Sequence, residues 1–254
     1  AQDFAKNGKK DGCVLRAERG ERQNLYRRAQ QLTDAVLAGM ALAIGCTAYV
    51  TVEHAALGSF LFSIGIFTIV TSGMALFTGK LCFLLDEGGP ALSDLLVYWI
   101  GNLVGVAAVG YALRLTRLAP TITVRAAACC EARLNDSWLS IFLLGVFCNF
   151  LVCMGVQNYK HKRDELGRYI GLFLSVTVFV TCGYEQSIAD MYYFSLASQW
   201  GVGALRVVLL ASLGNLAGGL VIPAASKWKR SLDSKARGNG AAESERVFEP
   251  DCAD

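Results

Sequence analysis

Charge is scarce in this sequence. Only 18% of its 254 residues are Asp, Glu, Lys or Arg, where an ordinary soluble domain carries about a quarter. Together with a mean hydropathy of +0.39, that shortage excludes a disordered chain and argues against a soluble enzyme. Histidine is limited to His54 and His161, and no Cys-x-x-Cys pair occurs among the nine cysteines, so a zinc site is not expected. The sequence holds no Gly-x-Gly-x-x-Gly fingerprint, no P-loop and no nucleophile–base pair. No catalytic residue, cofactor or metal is therefore expected. The four prolines (Pro90, Pro120, Pro223 and Pro250) form no Asn-Pro-Ala motif. A formal net charge of +3 is too small for a nucleic-acid partner.

What is present is long apolar runs. Hydrophobic residues make up 54% of the chain, and glycine contributes 26 residues that let helices approach closely. At about 20 apolar residues per crossing, the sequence predicts six crossings: Leu32–Val52, Leu57–Leu85, Leu92–Leu113, Trp138–Asn158, Tyr169–Phe194 and Ala204–Ser226. These runs are too long for strands and lack the alternation of a membrane barrel, so an all-α membrane protein is expected. The first apolar run begins beyond thirty polar residues, so no cleavable signal peptide is expected. Residues 1–31 read as a polar, basic N-terminal arm, residues 32–228 as the membrane domain and 229–254 as a disordered polar tail. Within the arm, Asp11–Gln31 is compatible with a capping helix or a plain basic tail. An even number of crossings puts both termini on one side. Eighteen Lys and Arg fall on that side and five on the other, with Lys80 inside a crossing. That bias places both termini in the cytoplasm of an inner (plasma) membrane protein.

The second and fifth crossings are defective as helices. Thr71-Ser-Gly-Met-Ala-Leu-Phe-Thr-Gly-Lys80 and Thr181-Cys-Gly-Tyr-Glu-Gln-Ser-Ile-Ala-Asp190 put glycine, hydroxyl, amide and ionisable groups at mid-span. Irregular backbone at that depth survives only where protein or water shields it, and matched breaks point to a transport site at the midplane. The helix after each break carries an echo, Gly101-Asn-Leu-Val-Gly105 and Gly214-Asn-Leu-Ala-Gly-Gly219. Three crossings per half require the second half to insert upside down, which gives two inverted three-helix repeats.

These motifs, with Ala38-Gly39, Leu76-Phe-Thr-Gly79, Cys148-Asn-Phe-Leu-Val-Cys153 and Gly183-Tyr-Glu-Gln-Ser-Ile-Ala-Asp-Met191, resemble the formate/nitrite transporter family over roughly Leu32 to Trp228. The resemblance implies an aquaporin-like protomer, a homopentamer in the lipid bilayer, and a pore in each protomer for a small monovalent anion such as formate, nitrite, hydrosulfide or lactate. It implies an outer constriction at Phe62 and Phe179, an inner one at Ile66 and Leu76, and a central threonine at Thr78. Asn149 and Asn215 match pore-lining asparagines, and Arg133 falls where relatives carry a vestibule lysine. Gln186 departs from the family's histidine and has no titratable proton. Transport is expected to proceed with a proton from water or with the anion alone, and with a flatter pH dependence. A pore for small neutral solutes or the protonated weak acid is the alternative.

Several residues keep two readings. Lys80 is either a lysine reaching the interface or an attractor of anions in the inner vestibule. Glu185, a carboxyl within a crossing, is either a structural anchor or a proton carrier. Cys129 and Cys130 are either plain thiols or redox-active. Asp190 and Glu53 fall near an interface, and exposure is expected to account for both.

Overall fold

The computed structural model describes the backbone of residues 2–86, 88–161 and 163–246, with side-chain surroundings for 19–86, 88–161 and 163–234. Every regular element among these residues is an α-helix. α1 (Gln2–Thr51) is continuous, so the arm and the first crossing form one rod. The rod is pinned near its polar end, where Arg28 donates to Asp94 at 2.9 Å and to the Ser93 hydroxyl at 3.0 Å. The second apolar run divides into α2 (Ala55–Thr71) and α3 (Phe77–Leu81), and α4 (Leu92–Leu113) follows. α6 (Trp138–His161) is unbroken. The next run divides into α7 (Glu165–Thr181) and α8 (Ser187–Ala197). α9 (Val202–Arg246) continues as helix well past Lys227, where the composition reads as tail, and residues 247–254 lie outside the described part.

Four of these helices are long and apolar enough to cross a membrane: Arg19–Thr51 of α1, α4, α6 and Val202–Ser234 of α9. Their outward faces expose Ile44, Val104, Phe147 and Leu209. In water such a belt would be an aggregation surface; in lipid it is the expected exterior.

The segment 114–137 is not the plain loop of the sequence reading. It carries α5 (Ala119–Leu134), started by Pro120 in its first turn, where a missing N–H costs nothing. Ile122, Ala126 and Cys130, spaced by four, form its buried stripe. That face packs on α8 and brings Arg133 over the second break.

Packing repeats itself along the chain. α1 packs on α4 as α6 packs on α9; α1 lies on α2 as α6 lies on α7; α2 and α7 meet each other. Ser63 of α2 and Thr177 of α7 share a hydrogen bond of 3.0 Å at that seam. The closest crossings need glycine. A Cβ at Gly105 would collide with the Val36 carbonyl, and one at Gly218 with the Val146 carbonyl. The short helices cross over between the two chain segments: α3 touches α9 and α8 touches α4.

Candidate functional site

Both breaks end their helices in the same way. Gly73 (φ 70°) and Gly183 (φ 68°) adopt the left-handed conformation that glycine takes without a Cβ clash. Behind each glycine the chain closes five residues back, Met74 N–H to the Ile69 carbonyl and Tyr184 N–H to the Phe179 carbonyl, both at 3.0 Å. This Schellman cap satisfies carbonyls that the stopped helix leaves open.

An asparagine then braces each break. Asn102 on α4 accepts from Phe77 N–H at 2.8 Å and donates to the carbonyls of Ala35 (2.7 Å) and Ala75 (2.9 Å). Asn215 on α9 accepts from Ser187 N–H at 3.0 Å and donates to Gly145 (2.9 Å) and Glu185 (2.8 Å). Each amide covers one orphan donor and one carbonyl of the irregular backbone, and ties the break to a carbonyl of the neighbouring helix, Ala35 in α1 or Gly145 in α6.

Between the breaks, Gln186 meets Thr78. The Gln186 side-chain oxygen caps α8 by accepting from Ala189 N–H at 2.5 Å, which turns its amide nitrogen to donate to the Thr78 hydroxyl at 3.2 Å. Both side chains are buried. Because the Thr78 oxygen accepts here, its own proton remains available to donate. On the α5 side lies a cavity of about 380 Å³, lined by Phe62, Phe179, Arg133, Glu185 and Gln186 among others. The Phe62 and Phe179 rings meet edge to face at 5.9 Å between centroids. On the α3 side lies a cavity of about 280 Å³, lined by Ile66, Leu76, Lys80 and Lys160 among others. A larger cleft of about 820 Å³, along Gln157, His161, Lys227 and Arg230, does not include Thr78 or Gln186.

Nine of the eleven residues singled out by sequence therefore line these two cavities or join at the hydrogen bond between them. Lys80 lines the α3-side cavity with its ammonium 5.9 Å from the Tyr98 ring. Asn149 and Asn215 line neither cavity. Asn215 is fully engaged as a brace, and Asn149 donates to the Asn215 carbonyl at 2.7 Å, tying α6 to α9. Arg133 is no free cation, since its Nε lies 2.7 Å from Glu185 and 2.8 Å from Asp190. Its Nη1 donates to the Cys129 carbonyl at 2.9 Å, and the guanidinium stacks 5.1 Å from the Tyr193 ring centre. Glu185 thus has a charged partner in Arg133. Exposure does account for Glu53, but not for Asp190, whose side chain is 0% exposed. Cys129 and Cys130 are free thiols. Burial pushes the Cys130 thiol up to about 12, so the nucleophilic thiolate is scarce there. Asn102 was present in a recognised motif, yet its bracing role was missed; its match to Asn215 in the Gly-Asn echo was the available signal.

Paired breaks in an all-helical, apolar bundle are the build of a membrane transport protein. The chain belongs to the formate/nitrite transporter family, whose profile matches residues 15–229. It is 26% identical over 196 residues to a probable formate transporter of Methanothermobacter thermautotrophicus, covering 66% of this chain and 72% of that protein. It is 28% identical over 163 residues to the nitrite transporter NirC of Escherichia coli (strain K12), covering 61% and 60%. A solved pentameric formate channel with formate bound superposes with a TM-score of 0.71 at 23% identity, over 82% of this chain and 98% of that one. At that identity the likeness defines the fold.

Proposed function

We propose that this protein is a channel for small monovalent weak-acid anions, with formate, nitrite and hydrosulfide as the candidate cargo. The observation that carries the reading is the buried Thr78–Gln186 hydrogen bond with a cavity on either side. In this reading the path runs from the α5-side cavity past Phe62 and Phe179 to Thr78 and Gln186. It leaves past Ile66 and Leu76 into the α3-side cavity. The apolar rings exclude a hydrated ion, because a bare anion among them is costly. Thr78 donates its free proton to the cargo while Gln186 holds the hydroxyl in register. Lys80 and Lys160 raise anion concentration at the far mouth.

The repeated caps, braces and packing support six crossings in two inverted three-helix repeats, an aquaporin-like protomer. Asn149 and Asn215 then serve as scaffold beside the path. The pentameric formate channel of similar fold supports a homopentamer, and the Lys and Arg bias supports an inner (plasma) membrane protein with both termini cytoplasmic. Reconstitution in liposomes, comparing formate, nitrite, hydrosulfide and lactate over a pH series, tests the reading. Flux of at least one anion above that of empty liposomes is expected; its absence for all four overturns it. Swelling assays with uncharged solutes test the neutral-solute alternative, which the absence of a charged group at the central Thr78–Gln186 pair favours.

A further inference from the structure

The charges beside the α5-side cavity do not balance. Arg133 brings one positive charge to two carboxyl groups, Glu185 and Asp190, and the three side chains are only 14%, 7% and 0% exposed. Around the pair stand Cys46 and Tyr49 of α1, Cys129 of α5, Cys148 of α6 and Tyr193 of α8, none of them a cation. Among the described residues, Arg133 is the one cation that forms an ion pair with either carboxyl.

The two carboxyl groups converge on one nitrogen, with Arg133 Nε 2.7 Å from a Glu185 oxygen and 2.8 Å from an Asp190 oxygen. Two carboxylates are both acceptors; only when one of them holds a proton can a hydrogen bond form between them. The other oxygen of Asp190, Oδ2, is buried and accepts from no donor. A buried carboxylate oxygen with no donor is costly, and a proton on the pair removes that cost.

We propose that Arg133, Glu185 and Asp190 form a proton-binding site that gates anion admission, resting on the anion-channel reading above. With both carboxyls ionised the cluster carries a net charge of −1 and repels an anion from the cavity. With one proton shared between Glu185 and Asp190 the cluster is neutral and the anion passes. The proton comes from water on the cavity side and returns there, with no other bond made or broken. The chain thus keeps a titratable group near the path even though Gln186 carries none. A unit charge about 10 Å from the path, at an effective dielectric constant of about 20, changes local anion concentration about tenfold.

The test is formate flux in liposomes containing the full chain, at acidic and mildly alkaline external pH, for wild type, Asp190→Asn and Glu185→Gln. Each substitution leaves Arg133 one carboxylate and removes the shared proton. Flux at alkaline pH is expected to rise about tenfold towards the acidic level, flattening the profile. A wild-type ratio between the two pH values in both variants overturns the proposal. Infrared difference spectroscopy of the purified protein provides a second reading that needs no transport. A protonated-carboxyl C=O band is expected in wild type and absent from both variants; no such band in wild type overturns the proposal. A wild type that shows the band but carries no anion sinks the channel reading and leaves the proton site standing.

Discussion

The two helix breaks are built alike and equipped differently. Each has a left-handed glycine, a Schellman closure and an asparagine that takes one N–H and gives to two carbonyls. Beyond this scaffold they diverge. The first break presents Lys80 to its cavity and Thr78 to Gln186, and among the described residues no acid forms an ion pair with Lys80. The second presents Gln186 and carries a buried cation with two carboxyls. The backbone problem of stopping a helix in lipid has one solution used twice. The chemistry is written in the few side chains beside it.

The sharpest way to break this comparison is to strip the second break of its cation. Arg133→Met leaves two buried carboxyls uncompensated and is expected to cost about 3–5 kcal/mol, read as thermal unfolding in detergent. Nothing at the first break has an equivalent. Asn102→Ala and Asn215→Ala each strand two buried backbone groups of the break, at about 1–3 kcal/mol per group. The two losses are expected to match closely; a tolerated loss at either break would end the equivalence of the braces. Gly73→Ala and Gly183→Ala are expected to lose about 1–2 kcal/mol each from the left-handed backbone, measured in the same way. Gln186→His should leave stability nearly unchanged and steepen the pH profile of formate flux; an unaltered profile would show that this position takes no part in proton handling. Lys80→Met should be the mildest, within about 0.5 kcal/mol of wild type, with its effect confined to anion conductance. Unchanged conductance would leave Lys80 as a lysine reaching the interface.

The helices of the bundle were legible in the sequence because lipid burial removes charge over spans of predictable length. The run Leu92–Leu113 coincides with α4. Both breaks were legible because glycine and polar groups at mid-span have few other uses. What escaped was contact between distant segments. α5 looked like a loop because its buried stripe is short and its other face is polar. Without α5, nothing placed Arg133 on Asp190, so that acid looked like a surface residue. Asn215 matched a pore position by resemblance, while two of its three hydrogen bonds, with Ser187 N–H and the Glu185 carbonyl, use groups that become free only once the fifth crossing breaks.

The crosswise seating of the short helices bears on how the protein is made. α3 rests on α9 and α8 rests on α4. A ribosome that has released residues 1–113 has produced a segment whose α4 has not met α8 and whose α3 has not met α9. Insertion of these helices and completion of the bundle are therefore separate events in time. α3 meets α9 only when translation reaches Val202 and beyond.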